Sequence, residues 1–231
     1  QVLWVCSSTS ESMEGYDPDE TPKAAVHKYK LSGEFIKKYA SPEGEEHEFN
    51  DLVVDSKGTV YITDSRTGEL FIIDHNKDSL ELFSERGNFV STNGIALSAD
   101  EKSLLVADYA DGIYKVNLAD KSVTPLSISS GVSLYGIDGL YFYNNSLLAI
   151  QNVIRPNRLV RCYLNNNLDS VTNLEIVEMN NDIFSDPTTG TFVDDNFYYI
   201  ANSQLGAFDN QTHSFPTDSL KNIVILKTKL K

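Results

Sequence analysis

Cysteine is nearly absent from this 231-residue chain, and neither of its two copies has the spacing of a redox pair or a metal site. Cys6 and Cys162 lie within the apolar strand patterns Leu3-Trp4-Val5-Cys6 and Leu159-Val160-Arg161-Cys162, so both are expected as buried small hydrophobes. No disulfide framework is present, and the compartment is left open by that count. No apolar run approaches the ~18 residues of a membrane-spanning helix. Helical periodicity longer than a turn or two is missing as well. Basic residues are few, with 19 Lys and Arg against 33 Asp and Glu and a net charge of -14. Such a balance repels phosphate backbones and anionic lipid, so nucleic acid and membrane surfaces are not expected partners. It suits a protein that concentrates cations, and it equally suits ordinary acidic solubility.

What the chain does have is a repeat. The stretches Asn50–Asp64, Asn93–Asp108, Asp138–Asn152 and Thr188–Asn202 share one template, and their starts lie 43, 45 and 50 residues apart. Each opens on a polar residue, continues into an apolar run, turns, and returns through a second apolar run. Strand-rich units of ~40–50 residues are the signature of propeller blades. Within each unit, short β-branched and aromatic runs are separated by Gly, Asn, Asp and Ser, the pattern of an antiparallel meander. The sequence therefore predicts an all-β propeller of four-stranded antiparallel blades in a single domain. The expected units are 1–40, 50–85, 93–128, 138–178 and 188–230. The outer strands of the second full unit are expected at Ile113–Leu118 and Val123–Ile128, and the last unit ends in Ile223–Leu226 with an alternating tail.

The first unit is short. Leu3–Ser8 aligns with the second strand of a blade, Val26–Leu31 and Phe35–Tyr39 follow, and an acidic loop from Glu11 to Pro22 lies between. The expectation is four complete blades and three strands of a fifth. Either a longer chain carries about one further blade before Gln1, or the C-terminal strand closes a five-bladed ring.

In a meander the first two strands run antiparallel, so the start of the first meets the end of the second. Asn50, Asn93, Asp138 and Thr188 are thus expected around one mouth of the central channel. Residues ending the second strands join them: Ser7, Ser8, Asp64, Ser65, Asp108, Gln151, Asn152, Asn202 and Ser203. The set is almost wholly oxygen donors without Cys or His, which favours a hard divalent cation such as Ca²⁺. The bland reading is that Asn-Gly and Asp-Gly pairs form turns, but three such residues at blade period point to a shared site. Thr188 is expected to line the pocket, and Asp108, Asn152 and Asn202 to contact substrate. Asp64 and Asp108 read equally well as carboxylates that close turns. His47, in the loop before Asn50, matches no catalytic motif and reads as a loop residue. The acidic runs Glu43–Glu48 and Glu11–Glu20 lack the spacing of a Ca²⁺ loop and read as solvated.

The segments Phe49-Asn50-Asp51-Leu52-Val53-Val54-Asp55, Thr92-Asn93-Gly94-Ile95-Ala96-Leu97-Ser98 and Gly136-Ile137-Asp138-Gly139-Leu140 resemble successive inner-strand motifs of the senescence-marker-protein/gluconolactonase (regucalcin-like) family of six-bladed propellers. Paraoxonase-like and strictosidine-synthase-like propellers share versions of the first two. The resemblance runs from Asn50 nearly to the end of the chain. It implies a metal-dependent hydrolase of a small lactone or ester, with Asn93 and Asp138 as ligands and Asp138 accepting a proton from water. It implies that Asn50 contacts the substrate or a metal-bound water, and bacterial members suggest an exported location. The family also uses a Glu from a Glu-Gly-Pro-like motif before the first inner strand, and that motif has no counterpart here. Either the segment that would carry it precedes Gln1, or the protein lacks the full metal site. The alternative reading is a non-catalytic propeller that binds a small ligand or protein partner at the same mouth.

Overall fold

The computed structural model describes residues 1–13, 15–17, 19, 23–128 and 132–230. The acidic loop Glu11–Glu20 and its exit at Pro22 fall partly outside those residues. Among the described residues there are nineteen strands and one short 3-10 turn at Leu205–Ala207, with no α-helix. Five sheets succeed one another along the chain.

Blade I is β1 (Val2–Ser8), β2 (Ala24–Lys30) and β3 (Phe35–Ala40). Blade II is β4 (Phe49–Val54), β5 (Val60–Asp64), β6 (Glu69–Ile73) and β7 (Leu80–Ser84). Blade III is β8 (Thr92–Leu97), β9 (Ser103–Asp108), β10 (Gly112–Asn117) and β11 (Val123–Pro125), followed by the short β12 (Ser127–Ile128). Blade IV is β13 (Ile137–Tyr143), β14 (Ser146–Gln151), β15 (Arg158–Leu164) and β16 (Ser170–Met179). Blade V is β17 (Gly190–Val193), β18 (Asn196–Ile200) and β19 (Ile225–Lys229). Each blade is an antiparallel meander in chain order, and the innermost strands β4, β8 and β13 pack side by side. That is a β-propeller.

Three expectations need correction. Val123–Ile128 is not one strand: β11 ends at Pro125, which lacks an N–H for the ladder, and β12 pairs parallel to β16 of the next blade. Blade V has three strands in place of four. Its expected third strand is replaced by the 3-10 turn and an isolated Asp209–Ser214 bridge, in a stretch rich in turn-forming Asn, Asp, Ser and Pro. The C-terminal strand does not close a ring, because β19 pairs with β18 of its own blade.

The second strands β5, β9 and β14 are buried along their whole length, being covered by a neighbouring blade on each face. This is why they read as unbroken apolar runs. Four core clusters fill the spaces between successive blades, with Val26, Ile62 and Phe71 in the first, Leu70, Leu104 and Val106 in the second, Leu105, Leu140 and Val160 in the third, and Leu148, Phe197 and Tyr199 in the fourth. Fully burying one such side chain is worth ~1.5–3 kcal/mol. Cys162 lies within the third cluster and Cys6 packs against the first. Burial pushes both thiols up to about 12, so they remain unreactive.

In blade I, β1 behaves as a second strand. It packs on β4, and Ser8 Oγ donates to the Phe49 carbonyl at 3.3 Å, as Ser65 Oγ donates to the Thr92 carbonyl at 2.6 Å one blade later. The far faces of the first and last blades keep apolar side chains in solvent, Leu3 and Phe35 on one and Val193 and Ile225 on the other.

Candidate functional site at the propeller axis

The first strands of blades II, III and IV each carry an irregularity at the same place. Pairing slips between Phe49 and Leu52, between Thr92 and Ile95, and between Ile137 and Leu140. Each slip is a β-bulge, which frees residues from the ladder and re-aims their side chains. The freed pairs are Asn50-Asp51, Asn93-Gly94 and Asp138-Gly139. In blade V, Thr188-Thr189 occupy the same place just before β17.

These residues converge. Asn50, Asp51, Asn93, Asp138, Gly139, Thr188 and Thr189 line one cavity of about 180 Å³. Glycine at two of the bulges has a steric reason. A Cβ at Gly94 would stand 2.4 Å from the Asp138 carbonyl oxygen, so only glycine lets β8 approach β13 this closely.

Two carboxylates share the cavity. Asp51 Oδ1 accepts the Leu52 N–H at 2.8 Å and Oδ2 accepts the Ile95 N–H at 3.2 Å. Burial nevertheless pushes its pKa up to about 6, and the charge of Asp138 adds to the rise. Asp138 is also raised by burial, while hydrogen bonds from Thr188 and Asn152 oppose the rise. The Asn152 bond is explicit, Nδ2 donating to Asp138 Oδ2 at 2.6 Å, and Tyr109 fixes Asn152 through its hydroxyl at 2.7 Å. Asn93 adds a carbonyl oxygen, Oδ1, that is buried without a hydrogen-bond partner. Asn50 stands at the exposed lip with Nδ2 donating to Ser65 Oγ at 2.9 Å.

A buried amide oxygen without a partner and two half-buried carboxylates lining one cavity could together hold a divalent cation. Desolvation makes the charged form of both carboxylates costly, and the described lining offers no basic side chain to offset it. Hard oxygen donors suit Ca²⁺ over thiophilic metals.

Of the residues expected to contact substrate, Asn50 and Thr188 line the cavity. Asn152 lies behind Asp138 with both ends of its amide engaged. Asp108 and Asn202 lie outside that lining, with their polar groups bonded to loop backbone. Asp108 is wholly buried and accepts the N–H groups of Val90 at 2.6 Å, Ser91 at 3.4 Å and Ala110 at 3.0 Å. Asn202 donates to the Asn222 carbonyl at 2.9 Å and accepts from the Val224 N–H at 2.6 Å. Gln151 and Asp64 play the same part, Gln151 donating to the Ser133 and Tyr135 carbonyls and Asp64 accepting from the Glu48 N–H. These strand-end residues clamp the loops that enter each blade. The residue that sequence reasoning passed over is Asp51. Its signal was a departure from the repeat, a carboxylate where blades III and IV place Gly94 and Gly139.

No family model matches the sequence, and no curated protein matches it. Solved structures do match in fold. A gluconolactonase of Xanthomonas campestris superposes with a TM-score of 0.57 at 14% identity, over 78% of this chain and 66% of that one. A luciferin-regenerating enzyme gives 0.61 at 15% identity, over 90% of this chain and 71% of that one. A chain of the nidogen/laminin complex gives 0.59 at 16% identity, over 77% and 66%. The shared property is the β-propeller fold. The chain spans about two thirds of the length of these proteins.

Proposed function

We propose that the axial mouth is a divalent-cation site that hydrolyses a small lactone or ester, in the manner of a gluconolactonase. The observation that carries this reading is the unpartnered Asn93 Oδ1 beside Asp138 and Asp51 at the bulges of three inner strands. Gluconolactonases among the structures of the same fold support it. Asn93 Oδ1 and the Asp138 carboxylate would hold the cation, and Asp51 would add negative charge from the same wall, where the sequence lacks the family's Glu. When bound, such a cation supplies Lewis acidity that polarises an ester carbonyl and lowers the pKa of water.

The protein's own groups do the rest. Asn152 and Thr188 donate to Asp138, so its carboxylate is both aimed and kept as an acceptor for the proton of attacking water. Asn50 spends one amide hydrogen on Ser65, which leaves the other and its carbonyl for the substrate at the lip. Addition of water at the acyl carbon breaks the ring ester bond and releases the hydroxy acid. The cavity lies below the ~300 Å³ of a drug-sized pocket, which restricts the substrate to a small molecule.

The test is hydrolysis of a panel of sugar-acid lactones and aryl esters by chelator-treated protein. Turnover should vanish with chelator, return with Ca²⁺ and be about 10³-fold lower in Asp138→Asn. Turnover indifferent to chelation would sink the reading. Cation binding with no turnover on any ester would leave a ligand-binding propeller.

A further inference from the structure

A second group of ligating side chains is folded inward on blade II, away from the bulges. His47 lies in the loop before β4, Asp64 ends β5 and Glu69 begins β6. All three are buried, and one ligand atom from each falls within 4.8 Å of the others. The imidazole is walled by the rings of Phe49 and Phe71, at centroid distances of 6.2 Å and 5.7 Å.

The hydrogen bonds fix how this group is protonated. His47 Nδ1 stands 2.6 Å from Asp64 Oδ2. Asp64 Oδ1 already accepts the N–H groups of Glu48 at 3.0 Å, Arg66 at 3.0 Å and Thr67 at 3.3 Å. A carboxylate so committed is an acceptor throughout, which places a proton on Nδ1. His47 Nε2 is then a buried atom with no hydrogen-bond partner. Glu45 Oε1 is 3.7 Å from it, beyond hydrogen-bond reach. Arg86 runs along the open side, with Nε 3.3 Å from Glu69 Oε1 and a guanidinium nitrogen on Glu45 Oε2. Its single positive charge is shared between the two carboxylates, which leaves a net negative charge there and Nε2 unserved.

We propose that His47 Nε2, Glu69 and Glu45 form a divalent transition-metal site of the zinc type, with Asp64 orienting the imidazole. A carboxylate that fixes a histidine through its other ring nitrogen is the usual support of such a ligand. One nitrogen and two carboxylates suit Zn²⁺ or Co²⁺ better than Ca²⁺, and three protein ligands leave a position for water. Arg86 is half exposed on a long side chain, so it can turn outward while the metal takes over its charge. The ion would tie the loop before β4 to the turn joining β5 and β6. This site shares no ligand with the axial mouth and does not depend on that reading.

The experiment is titration of chelator-stripped protein with Zn²⁺, and with Co²⁺ read by its visible absorption. Wild type and Asp138→Asn should both bind one equivalent, and His47→Gln and Glu69→Gln should lose about 100-fold in affinity. Arg86→Ala should bind more tightly than wild type, because a competing cation is gone. Circular dichroism of each variant comes first. If His47→Gln does not fold, Glu45→Gln at the half-exposed carboxylate reads the same site. No Zn²⁺ bound by either wild type or Arg86→Ala would overturn the proposal. So would wild-type affinity in His47→Gln or Glu45→Gln.

Discussion

Two sets of polar side chains lie at the mouth of this propeller, made of the same residue types and in opposite chemical conditions. Asp64, Asp108, Gln151 and Asn202 sit at or just past the ends of second strands, and their hydrogen bonds are already made to loop backbone. Asn93, Asp51 and Asp138 sit on the bulges of first strands, where an amide oxygen has no partner and two carboxylates are charged at a cost. The first set holds the blades' loops in place. The second keeps an unused acceptor on Asn93 and carboxylate charge that no basic side chain of the lining offsets. A polar residue at a propeller mouth is therefore informative only when its capacity is left over, and most of those seen here are spent.

The comparison can be broken at either set. Asp138→Asn should lower kcat/KM for lactone hydrolysis by about 10³-fold, or ~4 kcal/mol, since it removes both a ligand and the proton acceptor. Its melting temperature without metal should stay close to that of wild type. Asp108→Ala should do the reverse. It removes the buried carboxylate that accepts the Val90, Ser91 and Ala110 N–H groups and should cost about 4 kcal/mol of stability in urea unfolding, with Ca²⁺ affinity unchanged. Equal effects of the two substitutions on both readouts would erase the distinction.

The next effect is on pH dependence. Asp51 titrates near 3.8 when unfolded and at about 6 when folded. The folded state therefore holds the proton more tightly. Its contribution to stability is complete below pH 3.8 and is lost as pH rises through about 6. In the presence of chelator, unfolding free energy of wild type relative to Asp51→Asn should fall by about 3 kcal/mol across that window. Parallel pH profiles would contradict it. Asp138, raised by the same burial, shifts the wild-type curve in the same direction. The smallest effect is at Tyr109→Phe. It removes the hydroxyl that fixes Asn152 behind Asp138 and should cost about 1 kcal/mol, with a few-fold loss of turnover and no loss of Ca²⁺.

Much of the architecture was legible in the sequence because a blade repeats its own pattern. The period from Asn50 to Thr188 located the inner strands, and the apolar runs at Val60–Asp64 and Ser146–Gln151 followed from burial on both faces. What escaped depended on contacts between units. β12 leaves its blade at Pro125 to join the next one, and the stretch before β19 makes no third strand. Asn50, Asn93, Asp138 and Thr188 were found as one group because position in a repeat is a sequence property. For Asp108 and Asn202 the sequence left the role open, because it shows the residue type and not where the hydrogen bonds go, which here is to loop backbone. Asp51 was masked by Asn50 beside it, and a bulge is what turns both toward the axis. His47 does lie in a loop, and what its own segment does not announce is the Phe71 ring that walls it and the Asp64 carboxylate that it bonds.

The central claim is that the bulged inner strands hold a cation through the unpartnered oxygen of Asn93. The direct measurement is calorimetric titration of Ca²⁺ into chelator-treated wild type and Asn93→Ala, with thermal unfolding of the same samples. Wild type should bind Ca²⁺ and gain about 2.7 kcal/mol at a hundredfold excess over Kd, and Asn93→Ala should lose both. Wild type that binds no Ca²⁺, or Asn93→Ala that binds it as tightly, would contradict the account.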